Sequence, residues 1–185
     1  SIVSIRKYTK KEIAQLEDIN INKNALFHDI KWALEIADKF CPIKDIFTPF
    51  RGERRGWDKM FYPVIGHGIE RRYIKPVLKS ARTISCLTAH ADGEAFCCSD
   101  TIEHLTSIGQ TGTLNWINRF IRERNEKGKP LVEALRKANA HWYEMSDSGA
   151  ADIVTAMNPE TRLFYASFER PTFINQRLIG LKYNN

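Results

Sequence analysis

No stretch of this 185-residue sequence approaches the roughly 18 consecutive apolar residues of a membrane span. No charged segment followed by an apolar run opens it, so a signal peptide is not expected, and with Ser1 in first place the chain reads as a piece of something longer. Pro-rich, Gly/Ser-rich and repeated segments are missing, which excludes linkers and solenoids. A P-loop and a G-x-G-x-x-G after a strand are missing too, so neither nucleotide phosphates nor a dinucleotide are signalled. Cysteine is sparse: Cys41, Cys86, Cys97 and Cys98 form no C-x-x-C pair, and the size and composition favour reduced thiols in a cytoplasm over disulfides. His28, His67, His90, His104 and His141 lack ligand spacing, so no metal is expected.

Charge is unevenly distributed. Residues 51–82 hold 9 basic and 3 acidic residues, while the rest of the chain holds 19 of each, so this one segment carries the whole net charge of +6. Localised basic charge usually meets phosphate or another polyanion. At its head stands "RGERRGWDKMFYP", residues 51–63, where arginines crowd around two glycines and a tryptophan. A solvated turn needs glycine or charge but has little use for the tryptophan.

With 43% hydrophobic and 11% aromatic residues the chain can bury a core, and its length fits one domain spanning 1–185. "SIVSIRKY" reads as a strand, and "TKKE" at Thr9–Glu12 has the spacing of a capping box. Leu26, Phe27, Ile30, Ala33, Leu34 and Ala37 recur at helical spacing until Pro42. "IKDIFTPF" and "MFYPVI" read as strands entering and leaving the basic loop, with Pro49 and Pro63 marking edges. "IERRYIKPVLKS" places Ile69, Tyr73 and Val77 on one side of a short helix and Arg71, Lys75 and Lys79 on another, with Pro76 kinking it. "RTISCLTAH" and "EAFCCS" look like strands around Ala91-Asp92-Gly93. Three helical pieces follow, near 101–108, 113–125 and 130–139, before "DIVTAM", "RLFYASF" and "PTFINQRLIGLKY" return to strands. The expectation is an α+β fold of small mixed sheets with helices, including a helical insertion around 100–139.

The chemistry-bearing residues are few. "NPET" at 158–161 departs at Glu160 and Thr161 from the N-P-P-aromatic loop of amino-methyltransferases and reads as a turn. Asp29, Asp45, Asp92 and Asp152 open no nuclease-like Asp...Glu-x-Lys pattern, and Cys97 and Cys98 read as buried small hydrophobes. No catalytic residue is assigned. Trp142, Tyr143 and Phe173 read as core, while Trp57, among charges, stands between a partner contact and packing beneath the loop.

"DIFTPFRGERRGWDKMFYP", "IERRYIKPVLKSAR", "HWYEM" and "RLFYASFERPTFINQRLIGLKY" occur in the order found in target recognition domains of adenine-N6 DNA methyltransferases. The chain resembles the TaqI-like C-terminal specificity domains of type II and fused restriction-modification enzymes over roughly 40–90 and 140–183. The residues that carry the likeness are Gly52, Gly56 and Phe61, then Ile69, Tyr73, Lys75, Pro76, Leu78 and Lys79, then Asn175. Residues 100–139 have no counterpart in the pattern.

The resemblance implies a module, not catalytic alone, that grips duplex DNA and reads its sequence. A methyltransferase catalytic domain in the same chain would bind S-adenosyl-L-methionine and flip out the adenine; no cofactor is expected for these residues themselves. Charge and resemblance together name Arg51, Arg54, Arg55, Trp57, Lys59, Arg71, Arg72, Lys75, Lys79, Asn175 and Arg177 as DNA-contact candidates. Arginine forks suit phosphates or guanine edges, and lysines suit phosphates. A basic RNA- or protein-interaction domain and a small nuclease are the alternatives, and no membrane partner is expected.

Overall fold

Thr9 opens the first helix as its sequence predicts. Its hydroxyl accepts the Glu12 N–H at 3.1 Å while the Glu12 carboxylate accepts the Thr9 N–H at 2.6 Å, the reciprocal capping box. A computed structural model describes residues 5–53, 55–146, 149–158 and 163–184. The described residues up to 47, with Asn184, group into one compact unit, and those from 48 to 183 group into another.

The first unit holds α1 (Lys10–Asp18), a 3-10 turn (Lys23–Phe27), α2 (Trp32–Ile36) and α3 (Ile43–Ile46). Leu16 and Ala33 are buried where α1 meets α2. The helix expected through 26–40 is broken: the chain turns extended at His28, whose carbonyl accepts the Tyr8 hydroxyl at 2.7 Å. Its apolar stripe is split between the 3-10 turn and α2, with Ala33 buried and Leu26, Ile30, Leu34 and Ala37 half-buried, while Phe27, Trp32 and Phe40 stay exposed. No strand forms at residues 5–8, and residues 1–4 of that expected strand lie outside the described residues.

The second unit is built on one mixed six-stranded sheet, larger than the small mixed sheets expected. Its strands are β1 (Phe47–Arg51, from the end of the first unit), β2 (Ile74–Leu78), β3 (Gly93–Phe96), β4 (Ala150–Ala156), β5 (Ala166–Ile174) and β6 (Leu178–Tyr183). They lie in the order β1-β6-β4-β5-β2-β3. β2 runs antiparallel to β3 and parallel to β5, and β4 runs antiparallel to both β5 and β6. With α4 (Asp58–Phe61), α5 (Ile102–Ser107), α6 (Thr111–Ile121) and α7 (Leu131–Ala134), the fold is α+β. The helices expected near 101–108 and 113–125 are present as α5 and α6, while α7 is shorter than the 130–139 expected.

Several expected elements are replaced: "RTISCLTAH" is no strand, with a 3-10 turn (Ala81–Thr83) at its start and an isolated bridge at Thr88, and "IKDIFTPF" opens as α3 before β1. "IERRYIKPVLKS" is not a helix but a 3-10 turn (Arg71–Tyr73) running into β2. Val77 and Phe173 sit opposite each other in one core, and Leu78 and Ile174 in the other, so successive β2 side chains are buried on both faces. Two-sided burial removes the alternation that would have marked a strand. Pro76 is accommodated because β5 pairs only with Val77 and Leu78, leaving it a neighbour on the β3 side alone. "MFYPVI" likewise is no strand: Met60 and Phe61 complete α4, fully buried, and Trp116 of α6 donates its indole N–H to the Met60 carbonyl at 3.1 Å.

Candidate nucleic-acid interface

The basic loop does not project freely; its first residues lie along the β5–β6 turn. The Gly52 N–H donates to the Leu178 carbonyl at 3.1 Å and the Glu53 N–H to the Ile174 carbonyl at 3.2 Å. Gly52 is required by this approach, because a Cβ there would stand 2.2 Å from the Asn175 carbonyl oxygen and 2.5 Å from that of Ile174. The nearest atoms it would meet are all backbone of Ile174 and Asn175, which cannot swing aside as a side chain would.

Asn175 organises the same junction. Its amide donates to the Tyr62 hydroxyl at 3.0 Å, its side-chain oxygen accepts the Arg177 N–H at 3.2 Å, and its backbone N–H donates to the end of β2 at Leu78, 3.1 Å away. Tyr62 closes the circuit by donating to the Glu53 carbonyl at 3.2 Å. The glycine and asparagine of the sequence pattern, 123 residues apart, thus touch directly.

Around this junction stand three cations. Arg51 donates from Nε to the Gln176 carbonyl at 3.0 Å, and its side chain is exposed beside the turn. Lys79 and Arg177 line a recess of about 110 Å³ together with Asp58, Tyr62, Asn175 and Gln176. The Lys79 backbone is held by Asp92, whose carboxylate accepts its N–H at 2.8 Å, and its side chain runs past Gly93. A recess of this volume admits an anionic group the size of a phosphate, with Asp58 offsetting part of the positive charge.

Other candidates have different placements. Arg55 faces inward and is a correction: it is 7% exposed, and its guanidinium donates to the carbonyls of Leu135 at 2.7 Å and Trp142 at 3.1 Å. Burial pulls its pKa down, with Glu53 and Glu144 opposing. It ties the basic loop to the segment after α7. Asn175, 8% exposed, lines the recess and spends its side-chain amide on the junction. Trp57 takes the packing role: half-buried against the core, it donates its indole N–H to Glu123 at 3.2 Å.

Arg71 is exposed but paired with Glu94 at 3.0 Å, a carboxylate that also meets His67 at 3.2 Å. Arg72 lies over the Tyr73 ring at 5.2 Å, and that phenol donates to Asp100 at 2.6 Å, with burial and Asp100 raising its pKa. Lys75 is half-buried opposite Ala95 on β2, so it and Lys79 do not share the helix face that their spacing predicts. Lys59 is exposed on α4. Arg54 lies outside the described residues, as do Pro159, Glu160 and Thr161 of the "NPET" turn.

Sequence reasoning missed Tyr62, Gln176 and Asp58 as parts of the junction, and Glu70 as an anchor. The Glu70 carboxylate accepts the N–H groups of Gly112 and Thr113 at 2.7 Å each, together with the Thr113 hydroxyl, and so caps α6 from 42 residues away. Only the Asn-x-Arg step of an Asx turn at 175–177 carried a local signal. Cys97 and Cys98 are buried as expected; burial pushes the Cys98 thiol up to about 11. Among the described residues no group of three or more His, Cys, Asp or Glu is placed to hold a metal ion, and no helix is long and apolar enough to cross a membrane. No protein-family model matches the sequence, and no curated protein matches it significantly.

Proposed function

We propose that this chain is a duplex-DNA-binding module, the target recognition domain of an adenine-N6 DNA methyltransferase or fused restriction-modification protein acting in the cytoplasm. The observation that carries the reading is the junction of Gly52 and Asn175. Gly52, Leu78 and Asn175, three of the residues on which the family resemblance rests, meet there, with Lys79 and Arg177 lining one phosphate-sized recess and Arg51 beside the same turn. A phosphate seated between Lys79 and Arg177 would receive charge-assisted hydrogen bonds, and the Arg51 fork, steadied by the Gln176 carbonyl, would reach the next phosphate or a base edge. The rigid backbone junction fixes where those cations stand, which sets the register of the protein on the duplex. In this reading methyl transfer belongs to a partner domain in the same chain, which would bring S-adenosyl-L-methionine.

The test is equilibrium binding of the 185-residue chain to a mixed-sequence duplex over a salt series, with RNA and an acidic protein as competitors. We expect duplex to compete best and affinity to fall steeply with salt, because each neutralised phosphate releases counterions at roughly 0.9 per contact. Preference for RNA or the acidic protein, or affinity flat with salt, refutes the reading. Metal-dependent plasmid cleavage would assign it instead to a nuclease.

A further inference from the structure

The loop leaving α4 carries two adjacent aliphatic side chains into solvent: Val64 is 79% exposed and Ile65 98%. The base of this loop is held at several points. Pro63 is buried before it, and Gly66 and Gly68 turn the chain after it with φ of +91° and +74°. The Ile69 N–H donates to His67 Nδ1 at 2.9 Å, and Glu70 locks onto the start of α6. An apolar pair held out by an anchored loop is a cost that no contact in the described residues offsets, and such tips mark contacts with partners.

The surroundings select the partner. Val64 and Ile65 border a recess of about 330 Å³ that also holds Lys59, Trp116, Arg119 and Phe120, with Glu123 as its acid. The Arg119 guanidinium lies 5.5 Å from the Trp116 ring and 5.8 Å from Phe120, so this cation is backed by aromatic faces. Apolar tip and flanking cations match a partner with flat apolar groups between anionic ones, which is the chemistry of stacked base pairs between phosphates. The recess also adjoins the junction described above: Tyr62 lines both, and the consecutive residues Asp58 and Lys59 of α4 line one each.

We propose that Val64 and Ile65 form a wedge that enters a base step of duplex DNA and unstacks it, while Lys59 and Arg119 hold the flanking phosphates. The proposal rests on the DNA-binding reading and adds to it a deformation of the duplex. Proteins that insert aliphatic side chains between base steps offset the unstacking by the surface the bent duplex then covers. The same insertion would favour flexible pyrimidine–purine steps, giving sequence preference without a hydrogen bond to a base.

The experiment uses the 185-residue chain and duplexes carrying 2-aminopurine, whose fluorescence rises on unstacking, with wild type compared against V64A/I65A. Both side chains are exposed, so the variant should melt with wild type. The expected result is a fluorescence rise with wild type that V64A/I65A abolishes, with roughly tenfold weaker binding and an unchanged salt slope. Salt-dependent binding without any fluorescence rise overturns the wedge and leaves the DNA reading standing. Absence of duplex binding even at low salt overturns that reading itself. If V64A/I65A instead abolishes binding to anionic phospholipid vesicles, or self-association of the chain, with duplex binding unchanged, the tip serves a membrane or a second copy and the wedge is refuted.

Discussion

Replacing Glu70 by glutamine should unlock α6, because this carboxylate does what the helix cannot do locally. Gln110, at the N-cap position, makes no side-chain capping bond, so the first N–H groups of the 11-residue helix depend on Glu70. A carboxylate there accepts charge-assisted bonds and meets the positive end of the helix dipole. Burial alone would raise its pKa, but the hydrogen bonds from Thr113 and Gly112 outweigh burial and hold it below the usual carboxylate range. Each charge-assisted bond is worth about 1.5–3 kcal/mol. Desolvation opposes this, the carboxylate is only half-buried, and glutamine keeps one acceptor, so we expect a net loss of about 2 kcal/mol at pH 7. The corresponding fall in melting temperature is about 4–8 °C. The pH dependence follows from the lowered pKa: the stabilisation is complete above the unfolded carboxylate's value of about 4.3 and drains away as pH falls through the lower folded value. Urea denaturation of wild type and Glu70→Gln at pH 7 and in steps down to pH 3 should show a gap that narrows toward acid. A gap below about 0.5 kcal/mol at pH 7, or one that widens as pH falls, refutes the reasoning.

Two further substitutions test the junction from inside. Arg55→Met should cost about 2–4 kcal/mol in denaturation, because the Leu135 and Trp142 carbonyls lose a buried donor; the salt slope for duplex binding should not change. Gly52→Ala forces a methyl against the Asn175 backbone and should cost about 3 kcal/mol or more. Where the variant still folds, duplex binding should weaken because the cations lose their shared frame.

Local chemistry was legible and distant partners were not. The Thr9–Glu12 capping box and the apolar stripe of α6 follow from spacing within a few residues and are present, as are strands in the last third, where β5 begins at Ala166 inside "RLFYASF" and runs on to Ile174. β5 even contains Pro171, which falls where the β4–β5 register shifts between Ala151 and Ile153, a place where a missing donor is tolerated. β2 misled because burial on both faces erased the alternation that identifies a strand. Arg55 misled for a related reason. Charge in a glycine-flanked loop is the mark of an exposed contact, and only the folded chain brings the Leu135, His141 and Trp142 carbonyls to its guanidinium. The order of the motifs brought Gly52 and Asn175 to attention but not their contact, which exists only once β6 and the basic loop share a sheet edge.

The central claim is that charge at one place, and not net charge, binds DNA. Two triple variants separate these: Arg51→Ala/Lys79→Ala/Arg177→Ala at the junction, and Lys7→Ala/Lys10→Ala/Lys11→Ala, exposed residues of the first unit. Each removes three positive charges from a chain of net charge +6. Affinity for a mixed-sequence duplex is measured across a salt series for both and for wild type. The account predicts that the junction variant loses about 0.9 of slope per lost contact, nearly three units in all, while the control stays close to wild type. Equal losses in the two variants would contradict it.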